Sequence, residues 1–369
     1  MQGTCEGLGV TTEAGAIGAD VTGPDAIGPD VPGRGTTEPR EWNGLIVQAA
    51  KRLADAGVAS PVSDARELAE FAAGVRRLPL NAPTSEQLAA FAHAVERRAG
   101  REPLQHITGR MYFRYLELVS RPGAFIVRPE TEMVAQDAID EARKVVARGE
   151  RPRVVDLCTG SGAIALAVAT EVPGAHVLAI DISDEALAVA AENNAAYGNP
   201  VVFLQGDAME FSLGPRDSSG AVARGGGAVA RGGAVGARGG GVGARGGPVG
   251  ARGGAADCAD DARSCAFDVV VANPPYIPAH HELSPEVLAD PAAALWGGGA
   301  RGLNVPASLV ERATALLRPG GLLVMEHAEE QAEALRRIAS NAGFVKARTG
   351  VDLSGRPRWL HARLPLDEH

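Results

Sequence analysis

The chain has 369 residues, 45% of them apolar and 22% charged, and a formal net charge of −9. That length allows two domains and a sizeable core. The acidic balance argues against a protein that lives on bare DNA or RNA, where positive charge displaces counterions.

Four cysteines, Cys5, Cys158, Cys258 and Cys265, show neither a CxxC pair nor histidines at ligand spacing, so no metal site or disulfide framework is expected. Residues 1–40 are rich in Gly, Pro, Thr and Asp without apolar periodicity and read as a disordered tail. Glu6, Glu13 and Asp20, with no apolar h-region, argue against a signal peptide. No apolar run approaches the roughly 20 residues of a membrane span. A soluble protein of the reducing cytoplasm is expected.

Leu45, Ala49 and Leu53 at helical spacing predict a first helix, stopped at Gly57. A second is expected from Ser63 as N-cap to Gly74. A third starts at Thr84, which stands at capping-box spacing from Gln87, and runs to Gly100. Residues 41–104 therefore read as a small helical domain. The run HITGRMYFRYLELVS and then Phe125-Ile126-Val127 read as short β segments, and residues 105–125 as a β-hairpin linker.

From 126 to 369 the pattern opens with a helix, TEMVAQDAIDEARKVVA, and then alternates. Strands are expected at Val154 to Leu157, His176 to Asp181, Val201 to Gln205, Phe267 to Ala272 and Leu322 to Glu326. Helices are expected at GAIALAVATEV, DEALAVAAENNAAYG and PASLVERATALL. Such alternation implies a largely parallel, Rossmann-like sheet with helices on both faces and ligands at the C-terminal strand ends. An insertion at about 214–264 interrupts it. Within it Arg224, Arg231, Arg238, Arg245 and Arg252 recur every seven residues, each opening an Arg-Gly-Gly triplet. At a cost of about 1 kcal/mol per glycine this is no coiled coil. It reads as a flexible solvated loop, with an RNA contact as the weaker reading.

Chemistry concentrates at the strand ends. After Phe267 to Ala272 comes Asn273-Pro274-Pro275-Tyr276. A planar nitrogen, in an amide or on a nucleobase, is a poor nucleophile because its lone pair is delocalised. A site that alkylates it needs acceptors for its N–H groups and a flat surface to hold its plane. Asn273 offers a side-chain carbonyl, Pro274 a backbone carbonyl on a stiff turn, and Tyr276 an aromatic face. The first strand ends in Asp156 and Leu157, followed by Cys158-Thr159-Gly160-Ser161-Gly162 and a helix, a loop that lets backbone approach a ligand. Ala165 replaces the third glycine of a dinucleotide fingerprint. Asp181 closes the next strand, placed to accept from both hydroxyls of a ribose, and Asp207, with Ala208 beside it, follows the third, placed to accept from an adenine amino group.

This set of motifs resembles the class I S-adenosylmethionine-dependent methyltransferases, and within them the protein-(glutamine-N5) methyltransferases of peptide chain release factors, the HemK/PrmC family. The narrower resemblance rests on Arg101-Glu102-Pro103-Leu104-Gln105-His106-Ile107-Thr108-Gly109, on Phe125-Ile126-Val127-Arg128-Pro129-Glu130-Thr131-Glu132, on Leu322-Leu323-Val324-Met325-Glu326-His327 and on the helical domain. Three positions depart from the family pattern: Cys158 for the loop's first glycine, Val127 for proline, and Asp290-Pro291 for Glu-Pro.

The resemblance implies S-adenosylmethionine as cofactor, held by Cys158, Thr159, Gly160, Ser161, Gly162, Asp181, Asp207, Ala208 and Asn273. It implies a release factor as protein substrate, methylated on the glutamine of its Gly-Gly-Gln tip. Asn273 and Pro274 would accept the amide N–H groups, Tyr276 would pack on the amide plane and Pro275 would stiffen the turn. The helical domain would grip another part of the factor. Glu130, Glu132 and His327 are candidates for proton transfer or for structural hydrogen bonds. Two competing readings remain at this point: an adenine-N6 methyltransferase acting on DNA or RNA through the same acceptors, and a non-catalytic RNA-binding adaptor. Neither a membrane nor direct DNA binding is expected.

Overall fold

The computed structural model describes residues 42–78, 82–212 and 266–367. The expected N-terminal tail and the Arg-Gly-Gly insertion lie outside these described residues. Helices α1 (Trp42–Asp55), α2 (Pro61–Ala73) and α3 (Ser85–Ala99) come first. They share a core of Trp42, Leu45, Leu53, Leu68 and Phe91, with the Trp42 and Phe91 rings edge to face. The α3 capping box forms as expected: Gln87 N donates to Thr84 Oγ1 and Thr84 N to Gln87 Oε1. Helix α2 starts earlier than expected, with Ser60 at the N-cap position and Pro61 in the first turn. Proline suits that turn because its missing N–H needs no partner there, so Ser63 lies inside the helix.

The segment expected to be β from residue 105 begins instead as a short helix, α4 (Leu104–Thr108), because Leu104 and Ile107, three apart, both turn into the helical core. A two-stranded hairpin follows, β1 (Arg110–Phe113) and β2 (Leu116–Val119), paired antiparallel. Tyr197 Oη and Asn193 Oδ1 accept from Glu117 N and Val119 N at 2.8 and 2.7 Å and so hold it. Phe125-Ile126-Val127 is not a strand. The Ile126 N–H donates to the buried carboxylate of Asp290 instead of to a neighbouring strand.

The remaining elements are α5 (Thr131–Ala147), β3 (Arg153–Leu157), α6 (Ala163–Glu171), β4 (His176–Asp181), α7 (Asp184–Ala196), β5 (Val201–Gln205), β6 (Phe267–Ala272), α8 (Pro285–Leu288), α9 (Ala292–Leu295), α10 (Asn304–Leu316), β7 (Leu317–Glu326), α11 (Ala332–Asn341), β8 (Val345–Val351) and β9 (Pro357–Arg363). Among the described residues a seven-stranded sheet runs in the order β5-β4-β3-β6-β7-β9-β8. Strands β3 to β7 are mutually parallel, and β9 and β8 close one edge antiparallel.

Alternation along the strands divides the core. Val154, Val269 and Val271 face α5 and α6, whereas Val155, Val270 and Ala272 face α10 and α11. Both faces are covered, as a parallel sheet requires, and this is the class I methyltransferase architecture, preceded by a small helical domain. The strand order reverses between β3 and β6, so the C-terminal ends of β3, β4, β5 and β6 open on one crevice.

Candidate functional site

The turn after β6 is held from three sides. Ile277 N donates to Leu295 O at 2.8 Å and Gly297 N to Ile277 O at 3.1 Å. The buried Gln331 side chain donates to the carbonyls of Tyr276 and Arg301 at 2.8 and 2.7 Å. Gly297 and Gly302 press against the turn itself: a Cβ on Gly297 would fall 2.7 Å from Tyr276 Cα, and one on Gly302 2.2 Å from Tyr276 O. Only glycine allows that approach, and Gly302 also has φ +64°.

Two side chains of the turn are oriented by buried partners. Asn273 Nδ2 donates to Thr131 Oγ1 at 3.2 Å. Tyr276 Oη donates to Glu326 Oε1 at 3.0 Å. Burial pushes the Glu326 carboxyl up to about 7, against the opposing pull of the Thr131 and Tyr276 hydroxyls. Burial and the neighbouring Glu326 carboxylate push the Tyr276 phenol well above its usual range, so it stays neutral.

Across the crevice the loop after β3 is braced from beneath. Asp156 is fully buried; its Oδ2 accepts from Thr159 Oγ1 at 2.6 Å and from Ala165 N at 3.2 Å, while Oδ1 has no partner. Burial raises this carboxyl to about 7 despite the two bonds. Asp156 thus supports the loop and does not line the cavity. Gly160 N donates to Asp181 Oδ2 at 2.7 Å, and Ser183 N to Asp181 Oδ1 at 2.9 Å. Burial raises the Asp181 carboxyl, and these backbone bonds act against it. Asp207 Oδ1 accepts from Met209 N at 2.8 Å.

Cys158, at φ +63°, occupies a backbone region that favours glycine. Its thiol is raised well above the ordinary range by burial and by the carboxylates of Asp181, Asp156 and Asp207.

These groups converge on one cavity of about 1060 Å³. Cys158, Thr159, Gly160, Ser161, Asp181, Asp207 and Ala208 line one part of it, and Asn273, Pro274, Pro275 and Tyr276 another. Gly162 does not line it; it packs against Phe203 and Ala190 where α6 begins. A Cβ on Gly160 would meet nothing closer than Phe125 Cβ at 3.9 Å, so open space lies over the loop. Two strand-end carboxylates with lone pairs to spare, an open loop and an apolar wall that includes Phe125, Ile182 and Met209 suit a ligand with a diol, a flat base and a positive centre.

Of the three candidate helpers, Glu130 lines the cavity. Glu132 accepts from Arg114 N at 2.9 Å, and His327 is fully buried with Nδ1 against Ala328 O at 2.7 Å. Both serve the fold. Sequence reasoning passed over Thr131 and Glu326 as site residues, because the apolar or helical pattern around each gives no local sign of the bond it makes.

The cavity extends to Ser60, Arg98 and Arg101 at the ends of α2 and α3. Arg101 Nε and Nη2 reach Glu286 of α8 at 2.6 and 2.7 Å, Arg98 Nη1 adds a third bond at 2.9 Å, and Arg98 Nε bonds Asp64 at 2.8 Å. These bonds hold the Glu286 carboxyl down at about 2.

The family model described as the PrmC N-terminal domain matches residues 45–109, and one described as a methyltransferase domain matches residues 154–225. The chain is 40% identical over 326 residues to the release factor glutamine methyltransferase of Streptomyces coelicolor, covering 87% of this chain and 97% of that protein. It is 36% identical over 329 residues to that of Bifidobacterium longum (86% and 98% covered) and 35% over 326 residues to that of Deinococcus radiodurans (86% and 97%).

Proposed function

Because the chain belongs to the HemK/PrmC family of release factor glutamine methyltransferases, we propose that it methylates the side-chain amide nitrogen of the glutamine in the Gly-Gly-Gln tip of a peptide chain release factor, using S-adenosylmethionine. The observation that carries this reading is the bond from Asn273 Nδ2 to Thr131. It commits the amide N–H end to the protein and leaves Oδ1, on a residue that lines the cavity, as an acceptor beside the Pro274 carbonyl.

S-adenosylmethionine supplies, when bound, a methyl group on a positively charged sulfur. The loop from Cys158 to Ser161 would hold it, with Asp181 for the ribose hydroxyls and Asp207 and Ala208 for the base. The work left to the turn is orientation. Asn273 Oδ1 and Pro274 O accept the two N–H bonds of the incoming amide and fix its plane, and Tyr276, neutral and tied to Glu326, forms the surface against that plane. Positioning and exclusion of water supply most of the acceleration. A nitrogen-alkylated, protonated amide is a strong acid, so its proton passes to water without a dedicated base. The helical domain supports recognition of the rest of the factor, since the tripeptide tip is small and Ser60, Arg98 and Arg101 line the same cavity.

The test is methyl transfer from labelled S-adenosylmethionine to purified release factor, to a factor whose tip glutamine is replaced, and to duplex DNA. Label on the intact factor alone is the expected result. Label on DNA or on the substituted factor overturns the assignment.

A further inference from the structure

Gln331 ends a short 3-10 turn, Glu329–Gln331, that follows β7, and it is 1% exposed. The two ends of its side chain have different partners. Oε1 accepts from Ala328 N at 2.9 Å. Nε2 faces three carbonyls: Arg301 O at 2.7 Å, Tyr276 O at 2.8 Å and Gly302 O at 3.2 Å. A backbone N–H only donates and a carbonyl only accepts, so all four partners select the same orientation of this amide.

The backbone explains why the three carbonyls need it. Gly302 packs directly on the Tyr276 carbonyl, so the oxygens crowd together and their dipoles repel. Pro306 of α10, four residues on from Gly302, has no N–H to give it. Val305 N, four on from Arg301, donates to Gly297 O at 2.9 Å instead. Among the described residues no other hydrogen bond reaches any of the three oxygens.

Tyr276 is thereby fixed at both ends by buried side chains, its carbonyl by Gln331 and its hydroxyl by Glu326 Oε1 at 3.0 Å. Pro275 stands between Tyr276 and Pro274, and its ring locks φ, so few soft torsions separate the two carbonyls. We propose that Gln331 is a positioning residue of the acceptor turn: its NH₂ clamps the Tyr276 carbonyl to the backbone of Arg301 and Gly302, and so sets the direction of the Pro274 carbonyl and of the Tyr276 ring. That those groups receive a glutamine amide rests on the methyltransferase reading above. The clamp itself does not.

A cap for the 3-10 turn would need only Oε1 and its bond to Ala328 N. Gln331→Glu keeps that oxygen and loses the NH₂; even protonated, its carboxyl has a single proton for the crowded carbonyls. Gln331→Met fills similar space and has no donor at all. In release-factor methylation both variants are expected to lower kcat about tenfold to a hundredfold, with the KM for S-adenosylmethionine changed less than about threefold.

A second readout needs no substrate. The chain has four tyrosines, and Tyr276-Ile277 is its one Tyr-Ile pair. With ¹³C on tyrosine carbonyls and ¹⁵N on isoleucine, the single doubly labelled peptide bond therefore reports the Tyr276 carbonyl. Its ¹³C signal is expected to move upfield in Gln331→Met, as a carbonyl does on losing a hydrogen bond, and to move in Gln331→Glu as well. A Tyr276 signal unmoved in Gln331→Met overturns the proposal. So does wild-type kcat in Gln331→Glu, which would leave only the cap, and so does a loss of kcat matched by an equal loss of cofactor affinity. Should Gln331→Met fail to fold, Gln331→Glu is judged on the same signal and the same rates. If wild-type protein leaves release factor unlabelled while the Tyr276 signal moves as described, the substrate assignment fails and the clamp stands.

Discussion

Gly302 lies so close to Tyr276 that a Cβ on the glycine would fall 2.2 Å from the tyrosine carbonyl oxygen. The backbone of the loop after α9 thus forms the floor under the acceptor turn. Gly302→Ala forces the two apart at a position that also has positive φ, at a cost of about 2–4 kcal/mol. A lowered denaturant midpoint is expected, together with a fall in kcat larger than any change in cofactor affinity. Wild-type turnover in this variant would show that the turn tolerates displacement.

Asn273→Ala removes the acceptor and leaves the loop between Cys158 and Ser161 untouched. Turnover is expected to drop about a hundredfold to a thousandfold, with S-adenosylmethionine affinity, measured by calorimetry, largely kept. Equal loss of both would place Asn273 chiefly in the cofactor site.

Cys158 sits at φ +63°, a region that costs a non-glycine residue about 1–2 kcal/mol. Glycine removes that cost and gives back part of the gain as chain entropy. Cys158→Gly should raise stability by about 0.5–1 kcal/mol in chemical denaturation, with activity retained.

Glu286 joins α8 to Arg101 and Arg98, and its carboxyl is held at about 2 against an ordinary 4.5. A depressed folded value adds stability that is complete above the unfolded value and is lost as pH falls through the folded one. Glu286→Gln is therefore expected to cost about 2 kcal/mol at pH 7, with the difference from wild type shrinking as pH falls from 4.5 toward 2. Urea midpoints across that window check it; a pH-independent difference would count against the ion pair as its source.

Glu326 has the opposite sign. Burial raises its carboxyl from 4.5 to about 7, so the unfolded chain releases the proton first and stability declines as pH rises between those values. Glu326→Gln removes that decline, and its stability relative to wild type should improve by on the order of 3 kcal/mol from pH 4.5 to above 7. Asp156, raised to a similar value, titrates in both proteins and cancels in the comparison. A stability difference between variant and wild type that stays constant from pH 4.5 to 8 would show that the carboxylate is not strained by burial.

Much of this molecule follows from local pattern. Apolar runs place β4, β5 and β6 at their observed bounds, the Thr84–Gln87 spacing marks the start of α3, and the sequence from Asn273 to Tyr276 is identifiable as a turn rich in acceptors. Such features depend on neighbours in the chain, which periodicity and turn chemistry report directly. Strands β8 and β9 escape the same reading. β8 is mostly exposed, so the alternation that marks a half-buried strand is weak there.

What only the tertiary structure decided is which polar atom meets which. Thr131 and Asn273 are 142 positions apart, Tyr276 and Glu326 50, and Arg101 and Glu286 185. Each meeting depends on strand order and register, to which a local pattern is blind. Asp156 shows the same limit: its sequence position gives only a carboxylate near the end of a strand, and its place beneath the loop is what makes it the brace. The chemistry at the strand ends is written in contiguous residues; its direction is set by buried partners brought in from distant parts of the chain.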